Sequence, residues 1–203
     1  MKATVKICGL KDFRAIDSAI SNGAKYLGFV CDYPKSPRNC SALELIAITN
    51  KIHETNIAKV AVMVDPNDRI IEQIHQHIDF IQLHGSETND RILDIKSRFD
   101  IQIIKAIKIK EEEDLKQIDL YPAADDLLLD TPAMEKSELF NFNLLDNLNI
   151  SNYFLAGGIN INNIHQALHF TSKIDISSGV ESEPGIKDIV KIKDFMNEVK
   201  RHA

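Results

Sequence analysis

Eight short runs of mostly apolar residues recur along this chain, at 4–8, 26–30, 59–64, 80–83, 101–106, 126–130, 153–156 and 174–177. Most are apolar nearly throughout instead of alternating, which is the pattern of strands covered on both faces. The intervening segments 13–21, 41–53, 68–77, 88–98 and 188–201 space their apolar residues three and four apart, as amphipathic helices do. Strands alternating with helices predict parallel strands joined by crossovers. Eight such units in 203 residues fit the compact end of the (β/α)8 range, so the predicted fold is α/β, a single-domain (β/α)8 TIM barrel over residues 1–203. The acidic run Glu111, Glu112, Glu113, Asp114 falls where a helix would begin, and negative charge favours that end of the helix dipole. Beyond the strand–helix rhythm the sequence has no evident linker, low-complexity stretch or repeat.

Composition narrows the partners. A hydrophobic content of 44% is enough for one sizeable core. The net charge of -6 argues against a nucleic-acid surface, which would be basic. A small phosphate ester remains possible, because backbone N–H groups and one or two cations hold it whatever the global charge. Three cysteines, Cys8, Cys31 and Cys40, match neither a zinc site nor a disulfide framework, which fits a reducing cytosol. Cys31 is read as sitting near the end of strand 2 and Cys40 as filler beside a helix. With no apolar leader and no run long enough to cross a bilayer, no membrane partner is expected and the expected location is cytoplasmic.

The chemistry concentrates at the ends of the strands, the face on which such barrels carry their active sites. Strand 1 ends at Cys8-Gly9, and strand 2 leads to Tyr33-Pro34-Lys35-Ser36-Pro37-Arg38. Strand 4 ends at Gln82-Leu83-His84-Gly85, and strand 6 at Asp130-Thr131. Strand 7 runs into Gly157-Gly158, and strand 8 into Ser177-Ser178-Gly179-Val180-Glu181. Glycine-bearing loops after strands 7 and 8 together point to phosphate held by backbone N–H groups, with Gly157, Gly158, Ser178 and Gly179 as the candidates. An isolated buried cysteine is more often core than catalyst; the company of the other strand ends reverses that for Cys8. Asp175, on strand 8, either points into the barrel mouth or is satisfied by neighbouring backbone.

Taken in order, Lys6-Ile7-Cys8-Gly9, Gly28-Phe29-Val30, the Tyr33–Arg38 loop, Gln82-Leu83-His84-Gly85, Leu129-Asp130-Thr131, Ala156-Gly157-Gly158 and Ser177-Ser178-Gly179-Val180-Glu181 resemble the phosphoribosylanthranilate isomerases of tryptophan biosynthesis. The resemblance covers almost the whole chain. It implies an Amadori rearrangement of N-(5-phosphoribosyl)anthranilate, an aminoaldose, to the aminoketose 1-(2-carboxyphenylamino)-1-deoxyribulose 5-phosphate. It also implies Asp130 as general acid, Cys8 as general base, and Arg38 as the partner of the anthranilate carboxylate, with His84 and Asp175 near the substrate. The acid needs a raised pKa and the thiol a lowered one. Neither a metal nor an organic cofactor is implied, and the expected partner is a small-molecule substrate. A monomer is expected, with a dimer as the alternative. Other readings are a different phosphosugar barrel enzyme, or a phosphate-binding barrel without catalysis. One departure stands out: after strand 6 the family carries a glycine-rich segment, whereas residues 132–143 here have no glycine. Retained activity with altered loop closure is predicted, with Phe142-Asn143 anchoring the segment.

Overall fold

The computed structural model describes residues 3–132 and 139–202. Its parallel barrel strands are β1 (Thr4–Cys8), β2 (Tyr26–Cys31), β3 (Ala58–Met63), β4 (Phe80–Leu83), β5 (Gln102–Lys108), β6 (Asp126–Asp130), β7 (Phe154–Leu155) and β8 (Lys173–Ile176). They pair in chain order, and β1 pairs with both β2 and β8, which closes the ring. At this seam Lys6 lies beside Asp175 on one side, and Cys8 beside Gly28 on the other.

Successive side chains of a strand point to opposite faces. One set fills the barrel, where Cys8, Val60, Val62, Ile104, Ala106, Leu128, Phe154 and Ala156 form a single cluster. The other set, including Ile7, Leu27, Phe29, Ile81, Ile103 and Leu129, is fully buried under the helices. Both faces are therefore covered, which explains the apolar runs. Tyr26 packs on Phe80 and Phe154 at the strand N-termini, with ring centroids 5.5 and 5.1 Å apart, and plugs the end opposite the polar rim.

The helices are α1 (Phe13–Asn22), α2 (Ala42–Thr49), α3 (Asp68–Ile74), α4 (Asn89–Phe99), α5 (Ile164–Phe170) and α6 (Ile189–His202). Asp12, Ser41, Asn67 and Thr88 cap the first four by accepting N–H bonds from Arg14, Glu44, Ile70 and Arg91, each worth about 1 kcal/mol. Two expected helices are shorter. α2 stops at Thr49, and the stretch after Ile74 tightens into a 3-10 turn, His75–His77.

The crossovers after β5 and β6 carry 3-10 segments, Glu112–Leu120 and Phe142–Leu145, among the described residues. The acidic run does open the first of these: Asp114 accepts from the backbone N–H of Lys110 and Glu111 at 2.9 and 3.1 Å. Its packed apolar residues Leu115 and Ile118 are three apart, a spacing that suits a 3-10 turn and gives an α-helix only a narrow stripe to bury. Two further pieces escape the pattern. Asn39–Cys40 pairs alongside the end of β2, and Glu181–Glu183 with Ile186–Lys187 forms an antiparallel hairpin after β8. No described helix is long and apolar enough to cross a membrane.

Candidate active site

A cavity of about 480 Å³ opens at the C-terminal ends of the strands, lined among others by Cys8, Arg38, His84, Asp130, Gly157, Gly158, Asp175 and Ser178. The predicted site residues are thus brought together, except Gly179, which lies behind the lining. A Cβ on Gly179 would sit 2.2 Å from the carbonyl oxygen of Ile159. Gly179 lets the loop after β8 press against the loop after β7.

Cys8 ends β1, 8% exposed, with Lys6 two positions earlier on the same interior face. Lys6 is fully buried and its Nζ donates to Asp175 Oδ1 at 2.9 Å. Asp175 therefore does point into the barrel, and its partner is a side chain, not backbone. Burial pushes the Cys8 thiol above its ordinary pKa; Lys6 and Lys187 pull it down without overcoming that effect. The thiol is thus not pre-ionised by the protein alone.

Asp130 has the raised pKa that a general acid would need. Burial first, and the neighbouring Asp175 charge second, raise Asp130 to a pKa of about 7, although its Oδ1 accepts from Thr131 N–H at 2.7 Å. His84 lies beside it, Nε2 to Asp130 Oδ2 being 3.5 Å. Burial, followed by the charges of Lys108, Lys6 and Lys105, lowers His84 to about 3. The neutral ring at that distance makes neither an ion pair nor a hydrogen bond. Gln82 Nε2 lies 3.2 Å from His84 Nδ1; with the amide donating, the ring proton falls on Nε2. That buried Nε2 has no protein partner among the described residues, so it is available to a substrate oxygen.

Arg38 is more tied than a surface arginine. Its Nε and Nη2 each donate at 2.7 Å to the carboxylate of Glu181, on the hairpin after β8. Lys187 Nζ donates to the same carboxylate at 2.6 Å and to the Ser177 carbonyl at 3.0 Å. Glu181 uses one edge of the guanidinium fork, and the Nη1 edge is the one left to meet a second carboxylate. Gly9 makes the approach possible: its φ is +78°, and a Cβ there would lie 2.5 Å from Arg38 Cδ.

The loops after β7 and β8 need their glycines too. Gly157 and Gly158 have φ of +87° and +63°. Asn160 and Asn163 both donate to the Gly158 carbonyl, at 2.8 and 3.1 Å, holding that carbonyl back. The altered segment after β6 is anchored nearby: Phe140 N–H donates to the Gly157 carbonyl at 3.1 Å, and Phe142 stacks on Phe170 at 6.2 Å. Residues 133–138, on which loop closure was expected to depend, lie outside the described residues.

Sequence reasoning did not assign Lys6, Glu181 or Lys187. Lys6 left a signal, a cation inside an apolar strand and in phase with Cys8; Glu181 and Lys187 left none until the hairpin was visible. Cys40 is more than filler. It lies in register with Cys31, and its Sγ donates to the Val30 carbonyl at 3.2 Å. No cluster of His, Cys, Asp and Glu among the described residues could hold a metal ion.

A family model for N-(5'phosphoribosyl)anthranilate (PRA) isomerase matches residues 5–198. The N-(5'-phosphoribosyl)anthranilate isomerase of Rhizobium meliloti is 40% identical over 215 aligned positions, covering 99% of each chain. A phosphoribosyl anthranilate isomerase structure in complex with reduced 1-(o-carboxyphenylamino)-1-deoxyribulose 5-phosphate superposes with a TM-score of 0.85 at 29% identity, covering 98% of this chain and 99% of that one. Monomers generated from the dimeric enzyme of Thermotoga maritima superpose equally well, with a TM-score of 0.85, 29% identity and the same coverage. With the matched model spanning nearly the whole chain and the relatives aligning end to end, this chain belongs to the N-(5'-phosphoribosyl)anthranilate isomerase family.

Proposed function

We infer that this chain isomerises N-(5'-phosphoribosyl)anthranilate to 1-(2-carboxyphenylamino)-1-deoxyribulose 5-phosphate. The observation that carries the reading is a largely buried carboxyl, Asp130, protonated up to a pKa of about 7 in the same pocket as the Cys8 thiol. Opposite demands on two neighbouring groups are the mark of an acid–base pair.

Asp130 gives its proton to the furanose ring oxygen. The C1–O bond then breaks, and the anilino nitrogen supplies the electrons for a C1=N⁺ iminium. Cys8, as thiolate, takes the C2 proton; the C2–H electrons form a C1=C2 bond, and the C1=N⁺ π pair returns to the nitrogen and neutralises it. The resulting enol tautomerises to the ketone as C1 gains a proton. An iminium cation beside the thiol favours its ionised form, which answers the burial that holds the resting thiol up. Arg38 pairs with the anthranilate carboxylate through the edge Glu181 leaves. Gly157, Gly158 and Ser178 carry the phosphate subsite, with Gly179 letting the two loops close up behind it, and His84 offers Nε2–H to a sugar oxygen.

The test is turnover of freshly generated phosphoribosylanthranilate, followed by loss of its fluorescence, with wild type, Cys8→Ser and Asp130→Asn. Each variant should lose about 100-fold or more in kcat. Full activity in either variant removes that residue from the mechanism, and an inactive wild type that still binds a product analogue points instead to a binding barrel.

We further propose that the chain works as a single-domain monomer in the cytoplasm. Its exposed leucines Leu43, Leu93, Leu120 and Leu139 fall on separate stretches of chain, and Ile186, Ile189 and Val190 are the one group of exposed large apolar residues close in sequence among the described residues; singly exposed apolar residues are ordinary in a monomer. Sedimentation equilibrium at micromolar concentration checks this; a dimer mass overturns it.

A further inference from the structure

We propose that Lys6 and Asp175 act together as positioning residues for the acid–base pair, Lys6 supplying the countercharge to the Cys8 thiolate and Asp175 fixing Lys6 while facing Asp130. This role rests on the isomerase activity inferred above.

Four observations support it. Lys6 and Cys8 are two residues apart on β1 and share the interior face. Lys6 has no solvent exposure, and its Nζ is 2.9 Å from Asp175 Oδ1, the two residues being register neighbours across the seam. A Cβ on Gly28 would lie 2.9 Å from Lys6 Nζ and 3.1 Å from Cys8 Sγ, so ammonium and thiol flank one point, and only glycine leaves that point open. Finally, Asp175 lines the pocket together with Asp130.

A buried ion pair is a poor way to hold a barrel together, because desolvation consumes much of its attraction and an apolar pair of equal volume does as well or better. Nearby interior positions such as Val60, Ile104 and Leu128 are apolar. The charge at Lys6 therefore calls for an electrostatic reason. The charged groups facing Cys8 are Lys6 on its own strand, Asp175 on β8, Lys187 on the hairpin and Arg38 on the loop after β2. Those facing Asp130 are Asp175, Lys6 and Lys108, with neutral His84 alongside. Lys6 favours the thiolate, and Asp175 favours the protonated form of Asp130. Asp175 also raises the thiol and Lys6 also lowers the carboxyl, but on Cys8 the effect of Lys6 is the larger of the two and on Asp130 that of Asp175 is, so the net push on each group is in the direction the rearrangement needs.

The experiment measures Cys8 alkylation by iodoacetamide as a function of pH, read by mass spectrometry of the Cys8 peptide, in wild type, Lys6→Met, Asp175→Asn and the double variant. Lys6→Met should raise the alkylation midpoint by about one pH unit and lower kcat at least about tenfold with KM little changed. Asp175→Asn should move the alkylation midpoint down, and with it the basic limb of the kcat profile. The double variant leaves no unpaired buried charge, so it stays interpretable if a single variant fails to fold; its midpoint should remain above wild type. Midpoints that do not rise in Lys6→Met or the double variant overturn the proposal, as does a loss confined to KM. Alkylation needs no turnover. Shifted midpoints in a protein inactive on phosphoribosylanthranilate would refute the isomerase reading while supporting the electrostatic role.

Discussion

Replacing Asp130 by Asn should abolish turnover and yet make the protein harder to unfold above neutral pH. The folded chain holds the Asp130 carboxyl at a pKa of about 7, against an ordinary value of 3.8. The folded state therefore keeps a proton that the unfolded state releases. With the folded pKa raised, the contribution of this one group to wild-type stability is fully present below about pH 4, is lost as pH rises through the window from about 4 to 7, and levels off above it. The gap between the two values converts to about 4 kcal/mol at most. Because the side chain is 23% exposed, solvent screening brings the expected figure to about 2 to 4 kcal/mol. Asn preserves the volume and can still accept the 2.7 Å bond from Thr131 N–H, but it places no charge near Asp175. For a chain of this length each kcal/mol moves Tm by about 2 to 4 °C, so the variant should melt roughly 4 to 16 °C higher near pH 8 and near wild type at about pH 4. Calorimetric melting at constant ionic strength across this range is the assay. A melting difference that stays flat with pH, or a variant less stable than wild type at about pH 8, would refute the claim that burial keeps Asp130 protonated.

Other consequences can be measured in the same way. Arg38→Ala should cost about 100-fold in kcat/KM, mostly through KM, since a charge-assisted bidentate contact is lost; a loss confined to kcat would argue against carboxylate binding. Lys105→Met strips Glu87 of its 2.7 Å ammonium partner, both side chains being 2% exposed, and should cost about 3 to 5 kcal/mol in urea unfolding. Adding Glu87→Gln should recover much of that, and no recovery would mean that packing, not charge, is at stake. Gly179→Ala forces a methyl to 2.2 Å from the Ile159 carbonyl, so a stability loss of about 1 to 3 kcal/mol and a raised KM are expected; wild-type behaviour in both would mean the loops yield freely.

The barrel strands were legible because most are apolar on both faces and brief, so their ends could be placed within a residue or two. β6, for instance, runs over Asp126–Asp130 as its pattern suggests. Amphipathic helices were visible too, the segments 13–21 and 88–98 matching α1 and α4 to within a residue. The crossovers after β5 and β6 were not, since clustered acids and asparagines lack the periodicity that separates an α-helix from a tighter turn. At the site, residues carried by family motifs converge on one pocket. What escaped is pairing across the seam: nothing near Arg38 in sequence announces Glu181, and nothing near Asp175 announces Lys6. Such partners lie more than a hundred positions apart, where local pattern carries no information. The thiol's pKa also escaped, because burial is a property of the assembled barrel.

The seam has a consequence for how the protein is made. Lys6 finds Asp175 169 positions downstream, and Arg38 finds Glu181 143 positions downstream. A nascent chain on the ribosome can build β1 to β7 and still leave the Lys6 ammonium in water and the Arg38 loop unbraced. Only the docking of β8 and the hairpin that follows it closes the ring and completes the site. The site is therefore complete only once the last strand and its hairpin are in place, and a product cut short before Glu181 loses the Arg38 brace however much of the barrel it contains.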